Sequence, residues 1–273
     1  LNCLLNQKIA IVSPKPQTTR NRILGIRNET GAQLIFIDTP GIHQTKDAFN
    51  TRLVKIALGA LNDVNVILWL LDVTKQDQKE ENLILKAVKK ISSPLILVPN
   101  KIDLIRKEEL LPLIEHYRHM HSFFAIIPVS ALTGEGREEL VKELISLLPE
   151  GPEYYPQDMV TDLPEQFLVA EMIREKVMLY CSQEIPYAVT VTVDSFEEKP
   201  EKNLVVIRAV IHVERPSQRG ILIGKQGSML KRIGERARKD MEGLLGLRVF
   251  LELYVHVTKN WRHDESQLRR LGY

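Results

Sequence analysis

Leu95-Ile96-Leu97-Val98-Pro99 runs directly into Asn100-Lys101-Ile102-Asp103, and no other junction constrains the fold of this chain so tightly. An apolar run of that length reads as a buried strand. A polar tetrapeptide closing it lies at the carboxyl end of a parallel sheet, where open α/β folds bind ligands. Guanine suits the chemistry offered there. Its N1–H and exocyclic amino group are adjacent donors that the Asp103 carboxylate accepts together. Asn100 serves the O6/N7 edge, and the Lys101 stem covers the base. Adenine has no 2-amino group and would leave Asp103 unpaired, a mismatch that discriminates by about 10⁴–10⁵. Alone, the tetrapeptide also fits a plain polar turn.

Further motifs narrow the choice. Leu34-Ile35-Phe36-Ile37 leads into Asp38-Thr39-Pro40-Gly41. In a nucleoside triphosphatase an acid here holds Mg²⁺, usually through water, and the glycine lets a backbone N–H approach the γ-phosphate. Phe124 to Val129 leads to Ser130-Ala131-Leu132, where a backbone N–H is placed for guanine O6. Upstream, Gln17-Thr18-Thr19-Arg20-Asn21 offers loop hydroxyls, Thr19 among them, able to ligate Mg²⁺ beside a triphosphate. Motifs in this order, each at a strand end, point to GTP or GDP with Mg²⁺. Thr19, Asp38 and Gly41 then act at the phosphate end.

A glycine-rich phosphate loop, G-x-x-x-x-G-K-[ST], is not found in residues 1–273. Gly220-Ile221-Leu222-Ile223-Gly224-Lys225-Gln226 is one residue short between its glycines and carries Gln where Mg²⁺ needs Ser or Thr. Leu1-Asn2-Cys3-Leu4-Leu5-Asn6 reads as the helix that follows such a loop. The expectation is that the first strand and the loop lie upstream of Leu1, and that residues 1–273 alone do not hydrolyse GTP.

At 273 residues, 44% hydrophobic and 26% charged, the chain is long enough for two ordinary globular cores. Cys3 and Cys181 form no disulfide or zinc pattern, which suits a reducing compartment. No apolar run reaches the ~18 residues of a membrane span. Strands over 64–73, 94–99 and 124–129 alternate with helices over 77–91, 108–120 and 136–148, so the sheet is mainly parallel. Arg20–Arg27 and Gln33–Asp38 flank the turn at Asn28–Gly31 and read as an antiparallel pair. The proline-rich stretch 151–164 is a linker between domains at 1–150 and 165–273.

The second domain has another grammar. A helix at Phe167–Val177 precedes strands of alternating pattern, Val189–Val193 and Val205–Val213. Ile223-Gly224-Lys225-Gln226-Gly227 then splits two helices, the second spanning Ser228–Leu245, and Val249–Val257 is a last strand. That order is the α+β arrangement of a type II KH domain, whose Gly-x-x-Gly turn lets about four nucleotides of single-stranded RNA approach the backbone. A bare glycine turn would look the same, but charge favours RNA. Arg215 to Lys239 holds eight basic residues against one acid, a net of +7 beside +2 for the whole chain. Lys231 and Arg232 join the turn as candidate RNA contacts. Aspartates in place of Gly224 and Gly227 are expected to alter only a surface turn.

A nucleotide-binding domain followed by Ile-Gly-Lys-x-Gly, by Ile233-Gly234-Glu235-Arg236-Ala237-Arg238 and by Val255 to Arg262 resembles the Era family of bacterial GTPases. The resemblance spans the chain and implies an α/β, Ras-like P-loop-NTPase domain joined to the KH domain. It further implies GTP hydrolysis and a grip on the 3′ end of small-subunit (16S) ribosomal RNA in maturation of the 30S subunit. A cytoplasmic monomer that does not bind DNA follows, with peripheral contact at the inner membrane carried over on basic charge alone. Where Ras-like enzymes place a water-orienting glutamine, Ile42 follows Gly41, so turnover is expected to be slow; His43 is a polar substitute or a plain surface histidine. Two other readings stay open: an RNA-binding module with a dead nucleotide site, and a tandem-domain assembly GTPase whose KH-like domain lacks the clamp. The single guanine motif and Gly224-x-x-Gly227 argue against the latter.

Overall fold

The computed structural model describes residues 1–45, 47–75, 77–89 and 91–273. They form two compact units, Leu1–Ile9, Arg22–Lys46 and Thr51–Asp162 in the first, and Ala10–Asn21, Asp47–Asn50 and Leu163–Tyr273 in the second. Residues 10–21 and 47–50, expected in the first domain, therefore pack with the second.

The first unit opens on α1 (Asn2–Leu5), followed by β1 (Ile23–Glu29) and β2 (Ala32–Asp38). These strands form the antiparallel hairpin expected from the turn, with Ile23 opposite Asp38 and Glu29 opposite Ala32. Then come α2 (Ala48–Ala60), whose residues 48–50 belong to the second unit, β3 (Ile67–Asp72), α3 (Gln78–Val88), β4 (Leu95–Asn100), α4 (Lys107–Met120), β5 (Ala125–Ile126) and α5 (Arg137–Leu147). Residue 90, inside the expected helix 77–91, lies outside the described residues. β3, β4 and β5 pair in parallel with β4 in the centre. Alternation along β4 covers both faces. Leu95 and Leu97 pack with Leu85, Val88 and Tyr117 of α3 and α4, whereas Ile96 and Val98 pack with Leu140 and Leu144 of α5. Ile96 and Leu97 are fully buried, so the strand end carrying Asn100 is held rigidly.

The expected linker is not free. Gln33 accepts from the Tyr154 and Tyr155 backbone N–H groups at 2.9 and 3.0 Å. Ile26 N–H donates to the Val160 carbonyl at 2.7 Å, and Thr161 Oγ1 to the Leu24 carbonyl at 2.6 Å. Residues 154–161 are thus stitched along β1 and β2.

The second unit contains α6 (Glu165–Tyr180), α7 (Ile185–Ala188), β6 (Thr190–Lys199), β7 (Leu204–Val213), α8 (Pro216–Ile223), α9 (Ser228–Leu245), β8 (Arg248–Val257) and α10 (Glu265–Arg270). The sheet runs β6-β7-β8, with β7 antiparallel to β6 and parallel to β8. Val205, Ile207, Ala209, Ile211 and Val213 alternate along β7 and are wholly buried against Val169, Ile173 and Val177 of α6 and Ile233, Ala237 and Met241 of α9.

Residues 10–21 complete this unit through polar contacts. Arg20 is buried and donates to the carbonyls of Val189, Pro186 and Tyr187 at 2.5, 2.9 and 3.1 Å. Arg174 donates to the Thr18 carbonyl at 2.6 Å, and the Val12 N–H donates to Glu175 at 2.9 Å. Lys15 donates to the carbonyls of Met178 and Cys181.

Candidate functional site

At the end of β4 the side chains are already tied in a defined pattern. Asn100 Oδ1 accepts from the backbone N–H of Lys101 at 2.8 Å and of Ala131 at 3.0 Å. Its amide nitrogen is left to donate. Ser130, fully buried, donates through Oγ to Asp103 Oδ1 at 2.6 Å, leaving Oδ2 with no partner among the described residues. Lys101 stands in the left-handed region at φ 69° and its ammonium reaches Asp72 Oδ2 at 2.6 Å. That contact and those of Thr74 hold the Asp72 carboxyl below its ordinary range, against the opposing effect of burial, which is the largest single influence. The 130–136 loop is closed by Gly136, where a Cβ would sit 2.1 Å from the Pro128 carbonyl. Only glycine fits there.

Of the residues expected to bind nucleotide, Asn100, Lys101, Asp103 and Ser130 come together, with Ala131 tied to Asn100 and Leu132 exposed beside it. The Ala131 N–H, expected to meet guanine O6, donates to Asn100 Oδ1 here. Asp38 closes β2, with Thr39, Pro40 and Gly41 following it. Thr18 and Thr19 belong to the second unit. His43 Nδ1 lies 3.1 Å from the Gly41 carbonyl. Sequence reasoning missed Asp72. Its only signal was an acid at the end of β3, which neighbours β4.

The donor set fits a guanine nucleotide: one free carboxylate oxygen and one free carboxamide nitrogen face outward from a rigid strand end. Asp38 would offer a carboxylate oxygen, the ligand type Mg²⁺ takes. Replacing Asp103 by Asn exchanges an acceptor for a donor. Competition among GTP, XTP and ATP is then expected to show weaker GTP binding and a gain toward xanthine. Unchanged preference for GTP would remove Asp103 from that role.

The second site is a cleft of about 460 Å³ between α9 and β8, floored by Leu230, Leu251 and Leu253 and edged by Lys231, Glu235 and Arg238. At its mouth Gly224 (φ 72°, ψ 175°), Gln226 (φ 51°) and Gly227 (φ 79°) turn the chain between α8 and α9. Ile223 ends α8, and Lys225 and Gln226 project from the turn. Lys231 lines the cleft, whereas the Arg232 guanidinium lies 4.2 Å from the ring centre of Tyr180. Arg238, two turns beyond Lys231 on the same helix, stands in the basic run and the Ile233–Arg238 motif but was not among the expected RNA contacts. The turn is also less forgiving than expected. A Cβ on Gly224 would meet Met229 Cβ at 2.8 Å and its backbone N at 2.9 Å, while Gly227 has nothing within 4 Å.

Together these features define a Ras-like GTPase domain joined to a type II KH domain. Models described as 50S ribosome-binding GTPase and as KH domain match residues 1–101 and 184–262. GTPase Era of Syntrophus aciditrophicus (strain SB) is 50% identical over 273 residues, covering 100% of this chain and 89% of that protein, and the chain belongs to the Era family of GTPases. GTPase Era of Lacticaseibacillus paracasei is 45% identical, covering 100% of this chain and 91% of its own. Two solved structures share a TM-score of 0.96 and 40% identity over 100% of this chain. One is Era with MgGDPNP and nucleotides 1506–1542 of 16S ribosomal RNA, 92% covered; the other is an Aquifex aeolicus Era variant bound to GDP·AlF4⁻, 93% covered. GTP, GDP and Mg²⁺ are the ligands of this family.

Proposed function

We propose that this protein binds and hydrolyses GTP and grips the 3′ end of small-subunit ribosomal RNA, acting in the cytoplasm in maturation of the 30S subunit. The observation that carries the reading is the apolar-floored, basic-edged cleft beside Gly224–Gly227, in a chain whose strand end also presents Asn100 and Asp103. A relative of the same architecture was solved with nucleotides 1506–1542 of 16S ribosomal RNA, which supports the choice of RNA. Phosphoryl transfer asks the protein mainly for positioning and charge. Asp38, at the end of β2, would hold Mg²⁺, which when bound neutralises charge on the phosphates; Thr19, expected beside it, belongs to the second unit and is not assigned to the metal. Ile42 cannot orient water, so turnover is slow unless a partner or monovalent cation assists. A dead nucleotide site is disfavoured, because the Asn100, Asp103 and Ser130 geometry is intact.

The test is competition between an oligomer from the 3′ end of small-subunit ribosomal RNA and a scrambled one, at two salt concentrations. The ribosomal oligomer is expected to win. Lys231→Ala with Arg238→Ala is expected to weaken all single strands alike and to flatten the log–log salt slope by about 1.4, near 0.7 for each phosphate no longer neutralised. Equal binding of both oligomers by the unaltered protein overturns the assignment.

A further inference from the structure

The face of the β6-β7-β8 sheet turned away from α6 and α9 carries a pocket of its own. It encloses about 600 Å³ and is lined in part by Thr192, Asp194, His212, Tyr254, His256 and Arg270. Its floor is neutral. His212 is buried with both ring nitrogens 2.9 Å from hydroxyls, Thr192 and Thr258. Burial, then the nearby His256, bring its pKa down to about 4, so the ring stays uncharged near pH 7. Tyr254 is 55% exposed, and Phe250, on the same face of β8, is 53% exposed. Arg270 makes no ion pair among the described residues, unlike Arg269, which pairs with Glu265 at 3.0 Å.

An exposed aromatic face, one free guanidinium and one carboxylate acceptor match the parts of a nucleotide: the ring stacks a base, Arg270 meets a phosphate, and Asp194 accepts from a base amino group. A metal ion does not fit, since no group of three or more His, Cys, Asp or Glu side chains able to hold one exists among the described residues. The position of β8 decides which nucleic acid. β8 is an edge strand. Its inward Leu251 and Leu253 floor the Gly224–Gly227 cleft, while its outward Tyr254 and His256 line the second pocket. A flexible single strand leaving the cleft over that edge arrives at Tyr254; a duplex is too stiff to fold round it.

We propose that the Tyr254–Arg270 pocket is a second nucleotide subsite, which stacks a base of the same single-stranded RNA that occupies the Gly224–Gly227 cleft and so lengthens the footprint beyond a KH clamp's. This rests on the RNA-binding reading above, and the test separates the two. Four- and twelve-nucleotide oligomers from the 3′ end of small-subunit ribosomal RNA are titrated against the full chain and against Tyr254→Ala, Tyr254→Phe and Arg270→Ala. Loss of one stacked base is worth about tenfold or more in affinity. Tyr254→Ala is expected to lose at least that for the twelve-mer and nothing for the four-mer. Tyr254→Phe, which keeps the ring, is expected to bind both like the unaltered protein, and Arg270→Ala to weaken only the twelve-mer. Melting curves confirm that each exposed substitution leaves the fold intact. If the unaltered chain binds the four-mer but Tyr254→Ala and Arg270→Ala bind the twelve-mer undiminished, the subsite is refuted, the clamp stands, and the face is free for a protein partner. If the unaltered chain binds neither oligomer, both readings fall.

Discussion

Replacing Arg20 by Ala is expected to remove about 3–5 kcal/mol from the stability of the second unit. The guanidinium is fully buried and serves the carbonyls of Pro186, Tyr187 and Val189. Its charge also lies 5.3 Å from the ring centre of Phe49, which packs edge-on against Trp261 at 5.3 Å. Burial lowers the proton affinity of Arg20, yet a guanidinium remains charged at any pH the fold survives. Without it, the carbonyls of Pro186 and Tyr187 in α7 and of Val189 after it lose their donor in a site too dry for water to replace it cheaply. Lys offers only one nitrogen and is expected to recover a minor part. Trp69 lies in the first unit and Trp261 in the second, so urea unfolding followed by fluorescence in a Trp69→Phe background reports the second unit. A midpoint within about 0.5 kcal/mol of the parent, the range of an ordinary surface change, would show that Arg20 is incidental to this unit.

Gly227→Asp is expected to cost RNA binding about 100-fold and the fold only about 1 kcal/mol, the strain of a left-handed backbone on a residue with a Cβ. The residue sits at the cleft mouth with open space around its Cα, at φ 79°, a left-handed angle that Asp and Asn tolerate better than most side chains. A carboxylate there faces a phosphate backbone, and a loss near 3 kcal/mol corresponds to the stated factor. Gly227→Asn has the same shape without the charge and is expected to retain most of the affinity. Gly224 is the wrong residue for this test, because its Cβ would strike Met229 and the variant would report damage to the turn. Should Gly227→Asp remain folded and still prefer the ribosomal oligomer over a scrambled one, the turn does not touch RNA.

Much of this was legible in the sequence because it obeys short-range rules. The apolar run at 95–99 became the buried central strand, the turn at Asn28–Gly31 a hairpin, and the alternation in 205–213 a central KH strand. What was not legible depends on partners distant in the chain. Glu171, Arg174, Glu175 and Lys176 look like the wet face of α6, yet all four are buried. The Thr18 carbonyl and the Val12 N–H meet Arg174 and Glu175 from 156 and 163 positions away, and Asp240 of α9 pairs with Lys176. Periodicity cannot report a partner that comes from outside the helix. Asp72 was hidden for the same reason, since only the pairing of β3 with β4 brings it to Lys101. The proline-rich stretch 151–164 reads as a tether because no local pattern reveals that Gln33 and Ile26 hold it.

The placement of residues 10–21 and 47–50 bears on how such a protein is inherited. The chain passes between its two units after residues 9, 21, 46, 50 and 162, so neither unit is a continuous stretch of gene. A recombination event at the proline-rich boundary would carry away α6 and the KH sheet but leave behind the donors that Val189 and Pro186 require, and the Val12 N–H that Glu175 accepts. The incoming partner would have to supply an arginine and a strap of matching shape. Exchange of the RNA-binding half among unrelated GTPases is therefore disfavoured at the level of folding, and the two halves are bound to change together by point substitution.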